Sequence, residues 1–461
     1  MYNSPPFWEH GAFLQPQHFQ LADVQNLWRI AQGLALMNPW LWGVRALSVN
    51  EDALASDVFE VVSLELLLPS GAWAVVPDNA TLAPRAFREA WTNPESPLTV
   101  SLGLAPLREQ GGNVTRTDNP EQAAEQYRFT ASLVPDVVPD LYGDGPEAEV
   151  ATLRYNLRLC FGPDDGKDLW KLPLARLVRD GERVRLDTHF APPCVDINAV
   201  PALCRLVRDV RDSLLSRSKQ LEEYKIVAGD AGISDISSLH GITLFSILGV
   251  LSRNVPEFDH YLRAPSIHPW PVYMALCKLV GELSVFSATL SPLGETPQGE
   301  RALPPYEHEH LYECFSAAFT IIARLVDTLV VGPAFTFLLD PLEGGALLGT
   351  VIPQSARGNM YAYWLLLRTS QREGLATRVQ TMGKLAPSAD MHGIVGQALP
   401  GIRLLYTEQP PAGLPRRSDT LYFMIDQNDP LWQKVMQEGD VTFALPGRPD
   451  DLLAQLTVIQ R

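Results

Sequence analysis

Apolar and polar residues alternate in short runs through the first 195 positions. Val58-Phe59-Glu60-Val61-Val62-Ser63-Leu64-Glu65-Leu66 predicts a strand, Pro69-Ser70-Gly71 a turn, and Ala72-Trp73-Ala74-Val75-Val76 a second strand. Further strands are predicted over 98–104, 127–134 and 155–161, with breaks such as Gly143-Asp144-Gly145-Pro146 between them. Several short strands separated by turns predict a β-sandwich or barrel.

Beyond Ala191-Pro192-Pro193 the period changes. Val200, Leu203, Val207, Val210, Leu214, Arg217, Leu221 and Tyr224 are spaced alternately three and four apart, a heptad seam with one polar interruption at Arg217. Such a seam serves either one amphipathic helix packed inside its own domain or a helix that meets copies of itself. Alternation without drift favours the second, making Leu203, Val207, Val210, Leu214 and Leu221 the candidate oligomer seam. Three more helices are predicted over 239–251, 271–289 and 307–331, the last two each with a single apolar face. Four successive helices imply a bundle over 196–335.

Gly332, Pro333, Gly344 and Gly345 mark a flexible passage that would serve as a hinge. The last segment, 340–461, mixes predicted strands (346–352, 403–406, 421–425, 441–445) with helices (359–367, 431–437). The expected fold class is multidomain α+β: a β-sandwich over 1–195, a four-helix bundle over 196–335 and a small α+β domain over 340–461.

Length agrees with several domains, since single cores rarely exceed roughly 250–300 residues and this chain has 461. Charge narrows the partners. With 53 acidic and 37 basic side chains the net charge is −16, a field that repels nucleic acid and anionic lipid. Residues 340–461 hold 11 basic and 12 acidic side chains, so long-range repulsion does not keep that segment from an acidic or a basic partner. The five cysteines are scattered without CxxC spacing, the pattern of free thiols in a reducing compartment. The N-terminus lacks a signal-peptide pattern, and the uncharged run from Ile236 to Ser252 falls short of the roughly 20 residues of a membrane span. A soluble cytoplasmic protein without direct membrane insertion is expected.

The sequence holds no nucleotide-binding glycine loop, no GxSxG elbow and no HExxH helix. Its densest polar cluster is Glu307-His308-Glu309-His310, four residues before Cys314. On a helix His310 and Cys314 would share a face and could present two soft ligands to zinc. A helix start favoured by acidic residues explains the cluster better, so a metal-dependent enzyme is a remote alternative, and no catalytic, cofactor or metal residue is assigned. Six of the ten tryptophans, Trp8, Trp28, Trp40, Trp42, Trp73 and Trp91, lie early in the chain; most are expected in the core.

The opening Trp8-Glu9-His10-Gly11-Ala12-Phe13-Leu14-Gln15-Pro16-Gln17-His18-Phe19-Gln20 resembles the N-terminal signature of the TssK family, also called ImpJ or VasE, in type VI secretion. His10 between Glu9 and Gly11 departs from that signature. His268-Pro269 with Tyr273 and Gly281-Glu282-Leu283, then Leu303-Pro304-Pro305-Tyr306-Glu307-His308, are similar to the same family. So are Leu385-Ala386-Pro387, Ala398-Leu399-Pro400-Gly401-Ile402 and Tyr422-Phe423 in the last segment. The resemblance implies a homotrimeric baseplate adaptor without catalysis or cofactor, with a β-sandwich shoulder, a helical neck and a mobile head. It further implies that the shoulder binds the TssF–TssG wedge and the head binds cytoplasmic parts of TssL and TssM, at the inner face of the inner membrane. Phe13, Leu14, Pro16, Gln17, His18 and Phe19 become the candidate wedge-facing residues, and Arg416, Arg417 and Trp432 the candidates for head docking. A receptor-binding subunit of a phage-type contractile tail is the alternative.

Overall fold

The computed structural model describes residues 4–93, 95–162, 165–181, 183–222, 239–329, 335–342, 347–408, 414, 415, 417 and 419–460. Tyr224 and the hinge candidates Gly332, Pro333, Gly344 and Gly345 lie outside them. The chain divides into two compact units, Met1–Ser213 with Asn254–Val326, and Leu214–Arg253 with Asp327–Arg461. Compactness thus groups most of the helical segment with the β-rich N-terminal region.

The first unit opens with a helix the strand-like reading of residues 1–195 did not anticipate, α1 (Pro16–Met37). After it come two main sheets. Gly43–Val49, Val61–Leu67 and Trp73–Val76 form a three-stranded antiparallel sheet. The other has seven strands, with Leu98–Leu104 paired to Trp170–Asp180 on one side and Leu153–Phe161 on the other. Val100, Leu102, Leu159, Leu172 and Leu177 are buried there, as alternating inward positions require. The strand expected over 58–66 is two: Val58–Phe59 pairs with Arg85–Ala86, while Val61–Leu67 joins the three-stranded sheet.

Among the described residues four helices follow along the chain: α2 (Pro201–Glu222), α3 (Leu239–Arg263), α4 (Pro269–Ser284) and α5 (Leu311–Thr328), of which residues 214–222 and 239–253 belong to the second unit. The third of these starts two residues before the predicted position because Pro269 takes the first turn, where its missing N–H costs nothing. Within the first unit, Arg211 bridges Asp212 at 2.8 Å and Asp259 at 3.0 Å, and the buried Asn254 amide donates to Glu282 at 2.6 Å.

The heptad positions settle differently from the oligomer-seam expectation. Leu203, Val207, Val210, Leu214 and Leu221 are each at most 2% exposed within the single chain. Their apolar area is spent inside the subunit, leaving none for a second copy. Val210→Asp with Leu214→Asp should therefore unfold the subunit itself, lowering stability by at least about 3 kcal/mol, because each carboxylate would be buried without a partner. Urea unfolding followed by circular dichroism checks this; an unchanged midpoint would overturn the assignment.

In the second unit, a five-stranded sheet runs Phe335–Leu338, Leu453–Gln460, Tyr361–Arg368, Thr420–Ile425, Leu404–Thr407 in spatial order. A four-stranded sheet runs Asp340–Pro341, Leu347–Val351, Asp440–Ala444, Lys384–Ala386. Helices α6 (Leu375–Met382), α7 (Ser388–Gly396) and α8 (Pro430–Glu438) accompany them. Strands over 346–352, 403–406, 421–425 and 441–445 and the helix over 431–437 appear within two residues of expectation. The helix expected over 359–367 is instead the central strand Tyr361–Arg368, flanked on both edges. Its run Tyr363 to Leu367 is buried on both faces, and a continuous apolar run carries no period to separate helix from strand.

Candidate functional site

Chain entry gives the first unit its most unusual surface. Pro16 occupies the first helical position of α1, and the Gln15 N–H donates to the His18 Nδ1 at 3.2 Å. The Trp8 ring lies 5.7 Å from His18 and 6.4 Å from Phe19, closing the preceding segment onto the helix start. Along all 22 residues of α1 only Gln25 is buried. Phe13 is 84% exposed, Phe19 54% and Leu36 89%, and Phe7, Trp8, Leu14, Ile30 and Met37 are exposed as well. Pro16 and Gln17 are exposed and His18 half-buried. All six candidate wedge-facing residues therefore sit on this one exposed, largely apolar stretch.

Two features hold α1 in place. Gly71, at φ +79°, comes so close to the helix that a Cβ there would lie 3.1 Å from the Ala31 nitrogen. Both the left-handed backbone and the close approach demand glycine. The stronger hold is at the exit. His268 accepts the Trp270 N–H on Nδ1 at 3.0 Å, so its proton is on Nε2, which donates to the Trp40 carbonyl at 3.0 Å. His308 accepts the Tyr306 hydroxyl proton on Nδ1 at 2.8 Å and donates from Nε2 to the Trp42 carbonyl at 2.8 Å. The two imidazoles stack with centroids 5.5 Å apart. Trp40 meets the Trp270 and Tyr306 rings edge-on at 4.2 and 4.9 Å, and Trp42 meets His308 at 4.7 Å. Gly43 then lies so close to the Pro193 carbonyl that a side chain would displace it.

The remaining candidates separate. His310 is exposed while Cys314 is buried, its thiol against the Pro305 carbonyl at 3.4 Å. With His308 committed to the clamp, the three do not assemble a metal site. Among the described residues no three or more His, Cys, Asp or Glu side chains gather as a metal site would need. Burial raises the pKa of all five thiols, Cys160, Cys194, Cys204, Cys277 and Cys314, and all five are free. Of the six early tryptophans only Trp91 is buried; Trp8, Trp28 and Trp73 are exposed, which corrects the expectation of core residues. Trp432 is 1% exposed, edge-on to Tyr363 at 4.9 Å, so it is a core residue with no surface to dock. Arg417 is half-buried, its backbone N–H donating to the Tyr422 hydroxyl at 2.9 Å. Arg416 lies outside the described residues. The clamp was not anticipated: the helix-start reading of Glu307–His310 was local, and the carbonyls that His268 and His308 hold lie 228 and 266 positions away.

The first unit thus combines an exposed, largely apolar helix, fixed at its exit, with histidines committed to structural hydrogen bonds. No helix among the described residues is long and apolar enough to cross a membrane. A family model described as bacterial type VI secretion, EvfL, ImpJ and VasE matches residues 18–459. The chain belongs to that family. It is 24% identical over 451 residues to the type VI secretion system baseplate component TssK1 of Pseudomonas aeruginosa, covering 97% of each chain. Among solved structures, a chain of the type VI secretion baseplate complex is similar over 100% of both chains, with TM-score 0.62 and 24% identity. A chain of the TssK–TssF–TssG baseplate subcomplex is 26% identical with TM-score 0.58, covering 70% of this chain and 99% of that one.

The clamp makes a pH prediction. Burial lowers the His308 pKa to about 4 and lowers that of His268 as well. A histidine held neutral in the fold takes up its proton more readily when unfolded, so its contribution is complete above about pH 6.5 and is lost as pH falls towards 4. For His308 the loss amounts to about 3 kcal/mol. His308→Gln keeps a donor without a titrating ring, and its unfolding midpoint should fall less steeply between pH 6.5 and 4 than the parent's. Parallel curves would contradict the clamp's role.

Proposed function

We propose that this chain is the structural adaptor of a type VI secretion baseplate: a homotrimer joining the TssF–TssG wedge to the TssL/TssM membrane complex from the cytoplasmic side. The observation that carries this is α1 with its preceding segment. Most helical stability in proteins comes from packing an apolar face, and so many exposed large apolar side chains on one helix and the segment before it mark a protein-binding site. The similarity to a chain of the TssK–TssF–TssG subcomplex supports the wedge as the occupant. On this reading the N-terminal β region is a shoulder attached to the wedge, residues 196–335 a neck, and residues 340–461 a mobile head.

Phe13→Asp with Phe19→Asp places two charges on the exposed apolar stretch without touching a buried side chain. Co-purification with TssF and TssG should fall at least about tenfold, since a desolvated charge at an interface is costly, while the melting temperature stays that of the parent. Full recovery of the wedge would remove the shoulder assignment. The trimer is tested by light scattering: the subunit mass is 51.0 kDa, so a trimer weighs about 150 kDa, and a clean monomer would refute it.

A further inference from the structure

We propose that the second unit carries a preformed groove that binds an acidic peptide segment bearing one large apolar side chain. The groove has a volume of about 720 Å³ and lies between the end of α6, the strand Lys384–Ala386, the end of α7 and the turn following Asp440–Ala444. Ala444 and Leu445 are buried in its floor, while Met382 and Val395, 44% and 49% exposed, form its walls. Lys384 and Arg448 stand on its rim, and among the described residues no carboxylate lines it. Among the described residues, no carboxylate pairs with Lys384. An apolar floor under a cationic rim selects a ligand with the opposite charge around an apolar anchor.

The walls are held before any ligand arrives. Arg378 donates to the Pro446 carbonyl at 3.0 Å and also to that of Gly447, tying the turn to α6. Gly401 lies against the Leu385 backbone, and the Ile402 N–H donates to the Leu385 carbonyl at 2.7 Å. Helix α7 closes with a Leu399 N–H bond to the Ile394 carbonyl at 2.9 Å and an Ala398 N–H bond to the Val395 carbonyl at 3.3 Å. That closure puts Ala398 at φ +53°, the left-handed position usually given to glycine, at a cost of about 1 kcal/mol. Strain of this kind gathers at binding sites, and here it falls on a residue lining the groove.

Charge also favours this occupant. Residues 340–461 carry a net charge of −1, against −15 for the rest of the chain, so an acidic partner meets its weakest long-range repulsion here. This inference rests on the adaptor reading only for placing a partner at the head; the groove and its ligand chemistry stand on their own residues.

The probe is a fluorescein-labelled 12-residue peptide with Asp and Glu flanking Leu-Phe-Leu, compared with the same peptide carrying Asn and Gln. Bound to the full chain, the acidic form should be about tenfold the tighter and weaken with added salt. Lys384→Glu and Val395→Asp, both changes at exposed or half-buried positions, should each abolish that preference without moving the melting temperature. Equal binding of the two peptides, or a preference that survives both substitutions, would overturn the proposal. A drop in particle mass on adding peptide would also overturn it, assigning the groove to a second copy of the chain. Wedge co-purification by the same variants separates the two claims: retained wedge with lost peptide preference tests the groove alone.

Discussion

The path of the chain out of α1 depends on two backbone carbonyls, those of Trp40 and Trp42, each held by a neutral imidazole. Beyond them the segment is held by local bonds to Asn38, by its aromatic contacts and by the Val44 N–H bond to the Pro193 carbonyl. Each histidine has one nitrogen accepting and the other donating, so the tautomers are locked and neither ring can turn without losing two bonds. The geometry gives a nearly bare helix a fixed base, and it joins chain positions 40–42, 268–270 and 306–308 into one cluster. The two internal stretches that resemble the secretion family, around His268 and Leu303–His308, are the stretches that build this cluster.

A fixed base matters because α1 is otherwise held only along a half-buried face, Leu21, Val24, Leu27, Ala31 and Leu34, and by the approach of Gly71 to Ala31. Its one buried residue is a glutamine, and its exposed Phe19, Ile30 and Leu36 would gain by burial. Most of its stability in the assembled state would then come from a partner, as it does for any amphipathic helix whose apolar face lacks its own core. The clamp lowers the entropy of that docking by holding the helix at one orientation before the partner arrives.

What the sequence made legible follows the same physics. Strands such as Leu98–Leu104 and helices such as α4 and α5 were readable because each buries one regular face, and the pattern records the face. Tyr361–Arg368 was misread because it buries both. Helix α1 was missed although Leu21, Val24, Leu27, Ala31 and Leu34 recur three or four apart on its half-buried face, because the exposed Phe19, Trp28, Ile30 and Leu36 blur that stripe. The heptad in α2 was read as a helix, and its seam positions are buried within the single chain. Over 22 residues a straight helix drifts from a 3.5 repeat by only about 20° per heptad, too little for spacing to tell packing within a subunit from packing between subunits. Burial of Leu203 and Leu214 decides the matter. The groove by Lys384 left no trace either, since its rim and walls converge from four separate elements.

The two proposed contact surfaces differ in kind, and the difference has a consequence for assembly. Around α1 the surface is broad, apolar and dependent on its partner for order, the character of obligate interfaces. The groove is small, preformed and charged at its rim, so it gives specificity and fast association more than affinity. A subunit built this way would hold its partner durably once α1 is covered and would exchange a partner at the groove. Salt would separate the two contacts, because screening weakens the cationic rim and leaves apolar burial intact.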